Sequence, residues 1–318
     1  MGEDHPDTLS SRYGLGILYQ RQGKYAQAEP ILARVVEVER RVLGEEHPST
    51  LQSVNALAAA FYGLGKFAQA EAVFAELLHI KRRVLGEEHH DVLATMNNLA
   101  LMFHRQGKHA QAGPLYARVV EVYGRVLGQE HPRTLNVINN LADLHGDEGR
   151  YPQAETLVTK VLRTRSRVLG EQHPETLESM SSLADLYRRE GQYARAEALY
   201  EKVLPVRSRV LGSQHPYTTG TMASVGRVQL QQQKFAEAEA ALRDALKSYE
   251  AIAPDGWERY HCESMLGASL TGQKQYAEAE PLLVSGYEGM IQRQATIAAG
   301  DRSVLEEAKE SVLRLYEM

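Results

Sequence analysis

The stretch Leu169–Leu204, LGEQHPETLESMSSLADLYRREGQYARAEALYEKVL, holds one complete helix–turn–helix unit, and the rest of the chain repeats it. Histidine recurs every 42 residues, at His5, His47, His89, His131, His173 and His215. Proline follows each of them except His89, where His90 stands instead. An alanine keeps the same period at Ala28, Ala70, Ala112, Ala154, Ala196 and Ala238, then falls one residue early at Ala279. A fixed period of roughly 20 to 50 residues marks stacked helical repeats, none of which buries its apolar face alone.

In the quoted unit, Pro174 suits the first turn of a helix, where no N–H is needed and its ring presets φ. Leu177, Met180, Leu183, Ala184 and Tyr187 follow at steps of three and four, which gives one apolar stripe. Gly191 tolerates the left-handed backbone that a sharp stop requires. Tyr193, Ala196, Leu199, Tyr200, Val203, Val206 and Val210 carry a second stripe, closed by Leu211-Gly212. The small Ala184 and Ala196 predict that the two helices approach closely.

The pattern Leu183-Ala184-x-x-Tyr187, Gly191-x-Tyr193-x-x-Ala196, Tyr200 resembles the tetratricopeptide repeat. The 42-residue period and the Leu-Gly-x-x-His-Pro join resemble the long variant of kinesin light chains and nephrocystin-type proteins. The resemblance implies an all-α fold, a right-handed superhelical solenoid of stacked antiparallel helix pairs, read as a single domain over 1–318. Six 42-residue repeats are expected over about 5–253 and a divergent seventh over about 257–295. A capping helix over about 303–317 follows, where Ser303-Val-Leu-Glu306 has a capping-box pattern. The stretch Arg259–Met290, RYHCESMLGASLTGQKQYAEAEPLLVSGYEGM, resembles the end of repeat regions appended to bacterial serine/threonine protein kinases. No glycine-rich loop, His-Arg-Asp or Asp-Phe-Gly motif accompanies it, so these residues do not transfer phosphate.

Composition narrows the function. The 318 residues carry a formal net charge of −5, against a general nucleic-acid binder. A lone Cys262 allows no intramolecular disulfide, and no apolar run nears the roughly 18 residues of a membrane span. No signal peptide is evident, and a cytoplasmic setting is expected. Met1-Gly2-Glu3-Asp4-His5-Pro6 aligns with Leu43-Gly44-Glu45-Glu46-His47-Pro48, so the chain begins inside a join and reads as a piece of a longer protein, with a natural start as the alternative.

Several repeats depart from the pattern. Pro30 and Pro114 fall about a turn into second helices, and Pro205 lies mid-helix, where a bend is expected. In the sixth repeat Gly226 replaces the helix-packing alanine. Ala253-Pro254-Asp255-Gly256 then replaces the usual join, and Trp257 is expected to anchor it.

No catalytic or metal constellation emerges. Neighbouring helices pack roughly 8–10 Å apart, so equivalent histidines cannot share an ion at ligand distances near 2 Å. They read as polar groups at helix starts. His261 and Cys262 are adjacent and point apart on a helix. Glu29, Glu71, Glu155, Glu197, Glu239 and Glu280 recur at one repeat position, which suits an inter-helix or solvated role.

In tetratricopeptide proteins the first helices line a concave groove, and kinesin light chains use groove asparagines on peptide backbones. The Asn-Asn-Leu-Ala wording here resembles theirs. The resemblance therefore implies groove roles for Asn55, Asn97, Asn139 and Ser181, two before the Leu-Ala leucine, and for Asn98 and Asn140 one before it. An amide side chain offers both donor and acceptor to a peptide group. Lys81, Arg165 and Arg207 match a groove-facing basic position, interrupted by Glu39 and Tyr123. His104, Arg105 and Arg188 end first helices and add positive charge. The same residues also suit helix–helix capping and solvated faces.

The expected function is thus a non-enzymatic scaffold that binds an extended, acidic peptide or protein segment, without cofactor, metal, nucleic acid or membrane insertion. Self-association as a homo-oligomer, or a regulatory role in a larger signalling protein, is the runner-up. Deleting Asp301–Met318 is expected to uncover the apolar face of the seventh repeat and cause aggregation, or loss of the last repeats while the central ones stay folded. Solubility and melting temperature matching those of the whole chain would show that the segment is no cap.

Overall fold

The computed structural model describes residues 5–317, and every regular element among them is helical. The chain forms two compact lobes, Met1–Val137 with Ala298–Gly300, and Ile138–Ile297 with Asp301–Met318. The join expected at Met1–Asp4 lies outside the described residues.

The first lobe contains α1 (Pro6–Arg21), α2 (Tyr25–Val42), α3 (Pro48–Gly63), α4 (Phe67–Leu85), α5 (His90–Arg105) and α6 (His109–Val126). Each first helix packs on its own second helix, and α2 and α4 pack in turn on the next first helix. The division falls within α7 (Pro132–Asp147). The second lobe continues with α8 (Tyr151–Leu169), α9 (Pro174–Arg189), α10 (Tyr193–Leu211), α11 (Pro216–Gln231), α12 (Phe235–Ile252), α13 (Trp257–Gly272) and α14 (Tyr276–Gln292). Two 3-10 turns, Gln294–Thr296 and Ala299–Asp301, precede α15 (Ser303–Glu317).

Left-handed glycines punctuate both connections of each early repeat. Gly191 ends α9 at φ 80° and Gly212 ends α10 at φ 92°. In the last two repeats Gln233 and Lys274 occupy the hairpin turn at φ 61° and 63°, a conformation that strains an ordinary side chain. The helix α10 is continuous across Pro205.

The periodic alanines Ala28, Ala70, Ala112, Ala154, Ala196, Ala238 and Ala279 are fully buried. Opposite them, the first-helix residue varies with its partner. Where that partner is Phe74, Tyr116, Val158 or Tyr200, the first helix presents Ala58, Ala100, Ala142 or Ala184. Where it is Leu32, Leu242 or Leu283, the first helix presents Gly16, Gly226 or Gly267. A Cβ at Gly226 would stand 2.6 Å from Leu242 Cγ and 3.4 Å from the Ala238 carbonyl oxygen. The branched carbon of leucine fills the space that a methyl group would need. Gly226 is therefore a fitted member of the pair.

The changed join packs around Trp257, which meets a cluster of Met290, Ile297, Val304 and Ala308. Helix α15 packs on α14 and α13, with Val312 and Leu315 against the core cluster that holds Leu266, Leu270 and Leu283. At its end the Tyr316 hydroxyl donates to Glu280 Oε1 at 2.9 Å.

Gly226→Ala is expected to lower stability by about 1–3 kcal/mol through overpacking, read as a fall in the urea midpoint. An unchanged midpoint would show that Leu242 yields freely.

Candidate functional site

The six periodic histidines share one job. In each, Nδ1 accepts the backbone N–H two residues on, at 3.2–3.3 Å, from Asp7, Ser49, Asp91, Arg133, Glu175 and Tyr217 in turn. This satisfies one of the free donors at a helix start. His89, His90 and Asp91 also bring ligand-type atoms within 4.8 Å of one another. The Nδ1 of His89 is already committed to the Asp91 N–H, so an ion at that nitrogen would displace the helix cap.

Cys262 is fully buried and its Sγ–H donates to the Leu242 carbonyl at 3.4 Å. Burial pushes its thiol well above the usual range, which leaves no nucleophile there. The periodic glutamates tie neighbouring repeats. Lys66 reaches Glu29, Lys108 reaches Glu71 and Lys234 reaches Glu197, each at 2.6 Å. The Tyr187 hydroxyl reaches Glu155 at 2.7 Å, and burial with this acidic neighbour pushes its pKa up to about 12.

The basic residues of the second helices are withdrawn from solvent. Lys81 is 8% exposed, and its Nζ donates to Thr95 Oγ1 at 3.1 Å. Arg165 is 1% exposed and donates to Ser179 Oγ at 2.7 Å and the Glu175 carbonyl at 3.0 Å. Arg207 repeats this with Thr221 Oγ1 at 2.6 Å and the Tyr217 carbonyl at 3.3 Å. Each cation thus clamps a second helix to the next first helix. Burial lowers the pKa of all three, chiefly opposed by Asp91 at Lys81 and by Glu178 at both arginines. At the same repeat position, Tyr123 donates to the His90 carbonyl at 3.2 Å, and Glu39 is buried with Oε2 unbonded among the described residues.

The amide residues divide by position. Asn55 and Asn98 face a cleft of about 490 Å³ in the first lobe, beside Lys81 and Asp91. Leu51, Val84 and Leu85 add its apolar wall. Asn97 Nδ2 lies 3.5 Å from Asn98 Oδ1. In the second lobe Asn139 is buried and donates to Ser182 Oγ at 3.1 Å, a stitch between adjacent first helices. Asn140 is half-buried beside it. The Ser181 hydroxyl turns back to the Leu177 carbonyl at 3.0 Å. His104 is buried, its ring edge-on to that of Tyr116 with centroids 6.4 Å apart, and Arg105 is half-buried. Arg188 Nε lies 3.8 Å from Asp185 Oδ1.

A cleft in the same register recurs in the second lobe, of about 190 Å³, lined by Leu177, Arg207, Val210, Leu211 and Tyr217. The sequence pattern put Val210 in the second apolar stripe, yet it stands at the lip of this cleft, 52% exposed, and its repeat equivalents were not singled out. Val42, Val84, Val126, Val168 and Val210 are 43–58% exposed, one per repeat. Their signal was legible as a Val-Leu-Gly before each join, an apolar residue kept on period where the helix no longer packs.

Tetratricopeptide-repeat models match residues 7–83, 55–125, 91–166, 134–208 and 182–251. The chain belongs to the tetratricopeptide-repeat family. A solved Podosopora anserina putative kinesin light chain of nearly identical repeats is 29% identical, with a TM-score of 0.55, over 66% of this chain and 99% of that one. BtubC (BKLC) from P. vanneervenii is 23% identical, with a TM-score of 0.57, over 71% and 91%. A Rap protein complexed with competence and sporulation factor shares the fold at 11% identity and a TM-score of 0.57, over 98% of both chains. A comparison with curated proteins gives no match. No helix among the described residues of this family member is long and apolar enough to cross a membrane.

His47→Ala is expected to cost about 1 kcal/mol through loss of the cap, while His47→Asn retains most of it. Equal losses for both, measured by urea unfolding, would assign the effect to ring packing instead of the Nδ1 acceptor.

Proposed function

We propose that this chain is a non-catalytic scaffold whose first-helix face takes an extended, acidic protein segment. The observation that carries it is the first-lobe cleft, where Asn55 and Asn98 face a common space with the buried Lys81 and an apolar wall. Amides from adjacent helices suit the alternating donors and acceptors of an extended backbone. The ammonium group suits a carboxylate, and Leu51, Val84 and Leu85 suit an apolar side chain. A Rap protein of the same fold is complexed with competence and sporulation factor, a precedent for this architecture holding a bound partner.

Lys81 also bears on stability. Its folded pKa lies below 10.5, so proton loss comes earlier in the folded than in the unfolded state, and the charge is held against the fold's preference. A cation retained at such a position is available to a ligand that neutralises it. Helix clamping alone would be served as well by an apolar side chain of similar volume.

The test begins with selection from a displayed library of random segments, followed by titration of the enriched peptides. Enrichment of acidic and apolar residues is expected. Asn55→Ala with Asn98→Ala should weaken binding by about 1–3 kcal/mol. Lys81→Met should weaken it further while shifting unfolding stability by no more than about 1 kcal/mol. Segments that bind all three variants as they bind the parent would move the contact surface elsewhere.

A further inference from the structure

Histidines of different joins stand too far apart to share an ion, but His89 and His90 lie in one join, at the start of α5. The third repeat departs from the others here, since a second imidazole stands where five joins have proline. The two rings tilt against each other at 36°, with centroids 4.4 Å apart. Asp91 follows, its Oδ1 3.4 Å from His90 Nε2 and its Oδ2 3.9 Å from His89 Nδ1. One ligand atom from each residue lies within 4.8 Å of the other two. An ion among them needs only side-chain adjustment to reach ligand distances of about 2 Å.

The surroundings leave this trio available. Glu87 is paired with Arg82 at 3.1 Å, and Glu88 with Arg118 and Arg125. Among the described residues, the Asp91 carboxylate pairs with no lysine or arginine, only with the two imidazoles. His90 and Asp91 are about half exposed, so an ion can reach them and water can fill its remaining positions. The first repeat supplies a contrast. His5 Nδ1 and Asp7 Oδ2 lie 3.6 Å apart there, but Pro6 between them offers no ligand atom.

One bond competes, and it is the helix cap. His89 Nδ1 accepts the Asp91 N–H at 3.2 Å, and an ion at that nitrogen takes the same lone pair. Loss of a cap lowers affinity by about fivefold, which is small beside two imidazoles and a carboxylate acting together. The negative charge of Asp91 also offsets the poor placing of a cation at a helix start. A mixed nitrogen and oxygen set favours zinc-like ions over calcium and magnesium, which prefer oxygen alone.

We propose that His89 Nδ1, His90 Nε2 and the Asp91 carboxylate form a binding site for one zinc-class divalent transition-metal ion. The ion takes over from the histidine cap at the one complete join that lacks the preset φ of proline. Asp91 also lines the Lys81 cleft, but the site needs no occupant there and is tested without one.

The test titrates the untagged whole chain with zinc chloride by calorimetry at neutral pH, with magnesium chloride for comparison. His90→Pro restores the residue of the other joins, so it should keep the fold while lowering zinc affinity by roughly tenfold or more. Asp91→Asn should also weaken binding, with helicity by circular dichroism unchanged. His173→Asn, at the equivalent cap of the fifth repeat, should leave zinc binding as it is. In the 15N-labelled chain, zinc should shift the ring resonances of His89 Nδ1 and His90 Nε2. Zinc bound no more tightly than magnesium would overturn the proposal, as would undiminished affinity in His90→Pro. An equal loss in His173→Asn would overturn it too, because scattered surface histidines would then account for the binding.

Discussion

Between each second helix and the next first helix, the chain must reverse within a few residues, and the stack depends on how that reversal is held. A glycine with φ between 85° and 99° turns the backbone at Gly44, Gly86, Gly128, Gly170 and Gly212. From Gly86 onward, the histidine N–H returns to the glycine carbonyl at 3.3–3.4 Å in four joins. The histidine Nδ1 then accepts the first free donor of the new helix, and proline presets its φ where present. These steps fix where α3, α5, α7, α9 and α11 begin, so side chains 42 residues apart meet equivalent neighbours. The seventh join lacks the histidine. There the Gly256 N–H bonds the Ala253 carbonyl at 3.0 Å, and Arg293 Nε reaches the Asp255 carbonyl at 2.6 Å from the far end of its own repeat. A long-range tie replaces a local cap, which is why Trp257 and its apolar cluster gather at that point.

Periodicity made much of this visible in the sequence. The helix bounds, the fully buried alanines and the polar work of the histidines all follow from local chemistry repeated in register. Lateral geometry was less legible. Asn97 and Asn98 are adjacent in sequence, yet Asn98 faces the cleft shared with α3, while Asn139, the repeat equivalent of Asn97, is buried against Ser182. One residue along a helix turns a side chain by about 100°, enough to separate a cleft-facing amide from a packing amide. Kinesin-light-chain resemblance groups these residues, and only coordinates divide them. The reach of α15 to Arg227 was likewise invisible, since an 80-residue separation carries no periodic signal.

The second-helix position of Glu39, Lys81, Tyr123, Arg165 and Arg207 shows how a repeat array acquires individuality. In its basic members the position does the same mechanical work, since a hydroxyl two turns along the next first helix receives the charge. Tyr123 does comparable work through a carbonyl in its own repeat. The backbone therefore tolerates cation, phenol and carboxylate alike, and the residue chosen sets the polarity of each inter-repeat space. Selection on a bound partner can change one space without disturbing the stack.

That freedom has a limit, set by the hydrogen-bonding needs of the first helices. A polar group on a first helix either bonds its neighbour or meets solvent, because a buried unsatisfied group costs about 1–3 kcal/mol. Asn139 takes the first course and Asn55 the second. Arg227 takes neither alone: too withdrawn for full hydration, it draws an acceptor from the distant α15. Its partner is thus supplied by a helix that also packs Val304, Ala308, Val312 and Leu315 on the last repeat. That charge ties α15 to α11, 80 residues away in sequence.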